Sequence, residues 1–435
     1  MKASIRAFML ICCVLIPAGV FAAEAQTLTL KECLKTALEQ SPLIKGAGFD
    51  VEASKEAVKG AKGQMFPKID FNASYLKENQ DVPYIPAQST TIPAKFSNEV
   101  YSWGAFLRVP IYEGGRLVGQ LKASELEQAV QSARKDFTTQ DLIANVTNTF
   151  NKLLELKELR KAYIKSVRAL EEQKKDAGLL LKIGRVAKVD LLRIEVQLAS
   201  ERQNLVRAEE SIARTKNALA FFLGVDVGQI KDVEGRLTAG EHAETKDIDV
   251  DVFVRARPDV VAALKRAEEA RIGVNIASGK RYPSVALVGD YGNRAGVGFN
   301  QREEIWEVGF VASVNIFDAG VISSGINSQK AHYEKAKEEL RRVMLQARRE
   351  IADAVSLIRD AEARLDLARK AVAQSEESLR IETLKYKTGA GAITDVLLSE
   401  AAMSLSNANY YQALYDYNSA VTEFKRATGT IGVEK

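Results

Sequence analysis

The sequence predicts an α+β chain, mostly long α-helices, built as a tandem duplication of a helix–β-hairpin–long helix–helix unit. Three observations predict it. "VPIYEGG" from Val109 returns as "VNIFDAG" from Val314, 205 positions later, and at the same offset Gly184 returns as Gly389, Asp190 as Asp395 and Gly224 as Gly429. Apolar residues recur at three- and four-residue steps over very long Ala/Leu/Glu/Lys/Arg/Gln stretches, the mark of packed helices. Between these stretches lie short segments of strict apolar–polar alternation, the mark of strands.

Each copy opens with a helical pattern of about 33 residues, over roughly 30–62 and 249–279. Strands follow at 66–78 with 98–112, and at 283–292 with 304–317. Very long helical patterns come next, over about 115–182 and 321–386; the first carries the stripe Leu142, Val146, Phe150, Leu153, Leu156, Leu159, Tyr163, Val167 and Leu170. At 1.5 Å per residue such a helix spans roughly 100 Å. A glycine interruption then leads to helices over 187–222 and 392–427. Stacked end to end, the two shorter helices of a copy match the long one in length, so each copy predicts a hairpin of two long rods turned at Gly184 or Gly389, where backbone freedom is needed.

Upstream the offset is 216: Pro42 pairs with Pro258, and "FPKI" at Phe66 with "YPSV" at Tyr282. The first copy therefore holds extra residues, in "DVPYIPAQSTTIPAKF", which reads as a loop from its Pro, Ser and Thr content. The expected organisation is a signal peptide over 1–25, a first repeat over 26–224, a linker over 225–248 running on the surface, a second repeat over 249–429 and a tail over 430–435. The leader rests on Lys2 and Arg6 before the apolar run "AFMLICCVLI", with small residues after it.

Charge narrows the function. Lys, Arg, Asp and Glu make up 27% of 435 residues and nearly cancel to a net +4, which argues against a nucleic-acid partner. An enzyme is not expected. The only histidines are His242 and His332, and no nucleophile constellation, phosphate loop, cofactor motif or metal-ligand cluster is present. "GDYGNRAGVGF" from Gly289 is glycine-rich, but it sits in a hairpin and opens no helix. Beyond the leader Cys33 is the one cysteine, so no intrachain disulfide is expected, and a small buried helix position suits it.

No apolar run after the leader reaches the length of about 18 residues that a membrane helix needs, so membrane insertion would have to use β-structure. The strands suit that. Ile69, Phe71, Ala73 and Tyr75 share one face against Lys68, Asp70, Asn72 and Ser74, and Tyr101, Trp103, Ala105 and Leu107 oppose Ser102, Gly104 and Arg108. In the second copy Val285, Leu287 and Tyr291 oppose Ser284 and Asp290, and Trp306, Val308 and Phe310 oppose Glu307. Tyr75, Tyr101, Trp103, Tyr291 and Trp306 are candidates for an interfacial aromatic belt. An antiparallel sheet on a soluble core alternates in the same way. Four strands cannot close a barrel, so several chains would have to share one; two would supply eight strands and three twelve.

The duplication, "ALEQSPLI" from Ala37, the strand entries "FPKI" and "YPSV", the strand ends "IYEGG" and "IFDAG", and above all "YKTGAGAITDVLLSE" from Tyr386 give a chain that resembles the TolC-like outer-membrane efflux proteins over nearly its whole length. The resemblance implies a homotrimer in outer-membrane lipid, with a 12-stranded barrel continued by a 12-helix tunnel in the periplasm. It implies an exit duct for an inner-membrane transporter, joined through a periplasmic adaptor. It also implies that Asp395 and Asp190 line the periplasmic constriction, where clustered carboxylates favour cations and can hold a blocking metal ion, and that Tyr386 belongs to the gate. An aspartate just after a turn can equally cap the returning helix. Gly391 and Leu398 stand where the best-known members carry an arginine and a second aspartate; Leu398 could instead form an apolar constriction. Gly184 and Gly389 match tip positions used for adaptor contact, and Lys182, Arg185, Lys188, Lys385 and Lys387 crowd the same tips as a docking rim or as solvated helix ends. A periplasmic adaptor or a structural coiled-coil envelope protein are the competing readings, but neither accounts for tandem duplication with alternating strand pairs. The cargo is not encoded legibly.

Overall fold

The structure, a computed structural model, describes residues 26–87, 89, 93–240 and 249–432. The expected leader over 1–25 and His242 lie outside the described residues. A short strand β1 (Gln26–Leu28) leads into α1 (Leu30–Gln40) and α2 (Pro42–Gly63), then β2 (Lys68–Ile85), β3 (Lys95–Glu113), α3 (Arg116–Lys182), α4 (Lys188–Leu223) and β4 (Ile230–Val233). The order then recurs as α5 (Val250–Ala256), α6 (Pro258–Gly279), β5 (Ser284–Ala295), β6 (Glu303–Ser313), α7 (Val321–Lys387) and α8 (Ile393–Ala427).

The opening helix of each copy is broken rather than continuous. Proline lacks an amide hydrogen and drives the residue before it out of helical geometry. Ser41 accordingly takes ψ 126° before Pro42, and Arg257 takes ψ 135° before Pro258. Each break meets the end of a later helix. Gly224, at φ +73°, closes α4 so tightly against the first break that an added Cβ would lie 2.8 Å from the Gln40 carbonyl oxygen. At the second break Arg257 Nη1 donates to the Ala427 carbonyl at the end of α8, 3.0 Å away. Thus α2 stacks on α4 and α6 on α8. Each stack, of 22 with 36 and 22 with 35 residues, runs beside a rod of 67, because α1 and α5 turn aside from the expected alignment. The chain becomes a row four helices wide: α2/α4, α3, α6/α8, α7.

The core is a series of seams along this row. Cys33, Val146, Phe150, Leu153, Leu219 and Val233 fill one where α1, α3, α4 and β4 meet. The segment after Gly224 is therefore not the simple surface connection expected: β4 pairs in parallel with β1, and Ile230 and Val233 are buried.

The four long strands form one antiparallel sheet in the order β2-β3-β5-β6. The extra residues of the first copy do not all loop out. Asp81–Ile85 extend β2 and Lys95 starts β3, and Tyr84 and Ile85 are buried against Val100 and Ile305. The Tyr84 hydroxyl donates to the Gln301 carbonyl at 3.2 Å, tying the first hairpin to the second. At the other end β6 stops at Ser313, short of the expected 317, and Ile316 and Phe317 are exposed. Asp318 then accepts from the amides of Gly320 and Ile322 at 2.9 and 2.7 Å, which starts α7.

Register puts like with like. Phe71 pairs with Ala105, Ala105 with Tyr291 and Tyr291 with Trp306, so these stand on one face with Ile69, Trp103, Val308 and Phe310. Asp70, Asp290 and Glu307 fall together on the opposite face, with Lys68, Ser74 and Arg108. Phe71, Trp306 and Phe310 are about 70% exposed although they lie in the middle of strands. Among the described residues no strand pairs with the outer edge of β2 or of β6.

Candidate functional site

The far ends of the two helical hairpins carry most of the candidate residues. Gly184 and Gly389 end α3 and α7 at φ +71° and +81°. A left-handed residue there lets the next amides fold back on the last helical carbonyls: Arg185 N–H reaches Leu180 O, and Ala390 N–H reaches Lys385 O, both at 2.9 Å. Gly391 also donates to Lys385 O, at 3.1 Å, and an added Cβ would lie 2.9 Å from that of Lys385. This tip therefore has no room for the arginine that the resemblance would place there.

The returning helices begin at Ala187 and Ala392, which have no capping side chain. Asp190 and Asp395 sit three residues further on, in the first turn, so the expected capping hydrogen bond is not made. Their charge still faces the positive end of the helix dipole. Asp190 pairs with Arg193 at 3.5 Å on its own helix. Asp395 is exposed, and the exposed Leu398 and Leu405 continue its side of α8.

Tyr386 is the residue the structure draws inward. Its ring packs on the cluster of Val167, Leu170, Ile194, Leu198, Ile393, Val396 and Leu397, which joins both hairpins. Among the described residues its buried hydroxyl has no hydrogen-bond partner. Burial, then the negative charges of Asp190 and Asp176 on the other hairpin, push its phenol above the ordinary tyrosine value. Tyr386 and Asp190 are thus brought together across the seam, whereas Asp395 and Leu398 stay on an open side. Lys182, Arg185, Lys387 and Lys188 are exposed at the tips, and Lys385 pairs with Glu382 at 2.7 Å.

Sequence reasoning missed a polar layer above Tyr386. Ser166 on α3 donates to Glu400 on α8 at 2.8 Å, and Ser404 on α8 donates to Glu201 on α4 at 3.1 Å. Both carboxyls are buried. The available signal was positional: Ser166 adjoins Val167 within the α3 packing stripe, and Glu400 falls beside Leu397 on the buried side of α8.

At the sheet end, the rings of Tyr75 and Tyr101 lie 4.8 Å apart, and Phe299 stacks on Tyr101 at 4.1 Å and reaches Trp103 at 6.0 Å. The glycine-rich run from Gly289 lies along β5 and its turn. No group of His, Cys, Asp and Glu suited to a metal ion occurs among the described residues, and none of their helices is long and apolar enough to cross a membrane.

The family model described as "Outer membrane efflux protein" matches residues 33–225 and 254–430. The chain belongs to this family, that of TolC. It is 21% identical over 415 residues to the outer membrane protein TolC of Vibrio cholerae, covering 92% of this chain and 91% of that protein. It is 20% identical over 420 residues to the proteases secretion protein PrtF of Dickeya chrysanthemi, covering 94% and 89%. In fold it is similar to the crystal structure of VceC from Vibrio cholerae, with TM-score 0.78, 22% identity and coverage of 92% of this chain and 96% of that one. The CmeC channel of Campylobacter jejuni gives TM-score 0.80 at 18% identity, covering 92% and 85%. This TolC-family protein is accordingly an outer-membrane protein of the efflux and secretion kind, related to channels rather than enzymes.

Proposed function

We propose that three copies of this TolC-family protein form a passive exit duct, gated at the helical tips and fed by an inner-membrane transporter through a periplasmic adaptor. The sheet carries the argument. Its apolar face is exposed in the single chain while its polar face bears Asp70, Asp290 and Glu307. Burying that apolar face in lipid is favourable, but open edges are not tolerated there, because each unpaired backbone group costs several kcal/mol. Pairing the β6 edge of one copy with the β2 edge of the next removes the edges and closes a ring lined by the polar face. Three copies give the twelve strands and the twelve-helix tunnel.

The helical row supports the same closure. Its two outer members expose apolar side chains: Val189, Leu192 and Val196 on α4, and Leu367, Ile381 and Leu384 on α7. Contact between neighbouring copies would cover them. In the closed ring Asp395 and Leu398 line the mouth, Asp190 and Tyr386 hold the hairpins in register, and Lys182, Arg185, Lys387, Gly184 and Gly389 form the adaptor rim. Tyr75, Tyr101, Trp103, Tyr291 and Trp306 stand at the lipid interface. The two repeats, 26–224 and 249–429, each supply one β-hairpin and one helical hairpin to the ring.

The test is reconstitution of the purified full chain in planar bilayers, with its mass measured in detergent. Stepwise conductance from a trimer supports the duct; a monomer without conductance overturns it. A photo-crosslinker at Lys387 in cells tests the rim: an adaptor in the crosslink supports docking, and a folded trimer with no envelope partner sinks it.

A further inference from the structure

The polar layer between the hairpins has no role in the duct as drawn. Glu201 and Glu400 are 3% and 6% exposed, and each carboxyl is bonded by a serine from a different element, so α8 is fastened to both α3 and α4. No salt bridge reaches either carboxyl among the described residues. From α3 the layer sees Tyr163, the exposed Lys165 and Ser166; from α4, Gln197 and Asn204; from α8, Ser404. From α7, Ser375 donates to Met403 Sδ at 3.3 Å. Among the described residues Lys165 is the one cation whose charge bears on this layer, and it bears on Glu400; Glu201 faces the charge of Glu400 instead.

Burying an ionised carboxylate without a counter-charge is costly, whereas a protonated carboxyl is a neutral donor and acceptor that a serine satisfies. We propose that Glu201 and Glu400 form a proton-held latch between the two helical hairpins: protonated, they keep the tips packed; ionised, they let α7 and α8 move away from α3 and α4. The latch rests on the reading of the tips as a gate.

The sign follows from the two states. Burial raises both carboxyls above the ordinary glutamate value, and in Glu201 the charge of Glu400 adds to it. The packed seam therefore binds more protons than the parted one. It is favoured at low pH and loses ground as pH climbs from the ordinary glutamate value through the raised one.

Spin labels on Lys182→Cys and Lys387→Cys in the full chain read the tip-to-tip distance without requiring conduction. Burial pushes the Cys33 thiol up to about 12, so it does not compete for label. As pH is raised from about 4, near the ordinary glutamate value, into the mildly alkaline range, the distance distribution should lengthen. In E201Q/E400Q it should stay at its low-pH form throughout, and each single variant should retain part of the shift, which keeps the test usable should the double variant not fold. A wild-type distribution that ignores pH, or a double variant (or both singles) that shifts as wild type does, overturns the latch. Conductance recorded on the same samples separates the two ideas: a pH-dependent distance without conductance keeps the latch and removes the duct, and conductance without the distance change does the reverse.

Discussion

Arg257, at the break before α6, donates through Nη2 to Glu350 on α7 at 2.8 Å, with its side chain only 3% exposed. The same guanidinium reaches Asp259 at 2.7 Å and the last turn of α8 through Ala427 O. One planar fork thus holds three helices where α6 stands on α8. Arg257→Ala would take Asp259's ion pair away and leave Glu350 only its longer pair with Arg426, at 3.7 Å, and breaking such a network costs up to about 3–5 kcal/mol. The melting temperature in detergent should fall by several degrees, and Arg257→Lys, which cannot form the fork, should recover only part of it. Unchanged melting in both would show that the stacking does not depend on Arg257.

The two kinds of glycine should separate cleanly. Gly184 has positive φ and open space around it, so Gly184→Ala meets backbone strain alone, about 1–2 kcal/mol. Gly224 has positive φ and lies against Gln40 and Pro42 as well, so Gly224→Ala must also push α2 off α4. Thermal melts should rank Gly224→Ala well below Gly184→Ala; equal losses would mean that the α2/α4 contact is looser than its geometry.

Cys33 should be chemically silent. It is fully buried in the α1–α3–α4 seam, and burial, then the charge of Glu32, raise its thiol to about 12. Thiolate is the reactive form, so a maleimide should modify Cys33 in denaturant and leave it intact in the folded protein. Rapid labelling of the native chain would show that this seam opens.

How much of this was legible varies with range. The strand faces were, because a period of two fixes them locally: Phe71, Trp103 and Trp306 fall together as their sequence phase requires. The breaks at Pro42 and Pro258 were readable from proline chemistry, but helical periodicity on both sides hid them. Asp81–Ile85 looked like loop because they open a run, 81–96, rich in Pro, Ser and Thr; Tyr84 is held in strand by Gln301, over 200 residues away. The Glu201–Glu400 layer is set by three helices meeting, and a glutamate in a helix looks solvated until its neighbours are known.

On the polar face of the sheet Asp290 stands directly opposite Glu307, with Asp70 at the same level across Phe106. Like charges directly opposite are destabilising, and no salt bridge reaches them among the described residues. In the proposed ring they repeat around the lumen and favour cations. Glu307→Gln should raise the melting temperature slightly and lower the cation preference measured from reversal potentials in a salt gradient. An unchanged reversal potential would place these carboxylates away from the conducting path.

Tyr386 separates packing from hydrogen bonding at the mouth. Its ring fills the seam cluster while its hydroxyl is buried and unbonded near the charge of Asp190. Removing a buried polar group that has no partner relieves a desolvation cost of about 1–3 kcal/mol, whereas removing the ring leaves a cavity worth about 3–5 kcal/mol. Tyr386→Phe should therefore keep or raise the stability of the packed tips and leave the resting conductance as it is. Tyr386→Ala should loosen the seam and raise the resting conductance. If Tyr386→Phe opened the duct as far as Tyr386→Ala does, the hydroxyl would have to be bonded in the assembled tip, and Asp190, the facing carboxylate, would be the partner to test next by Asp190→Asn.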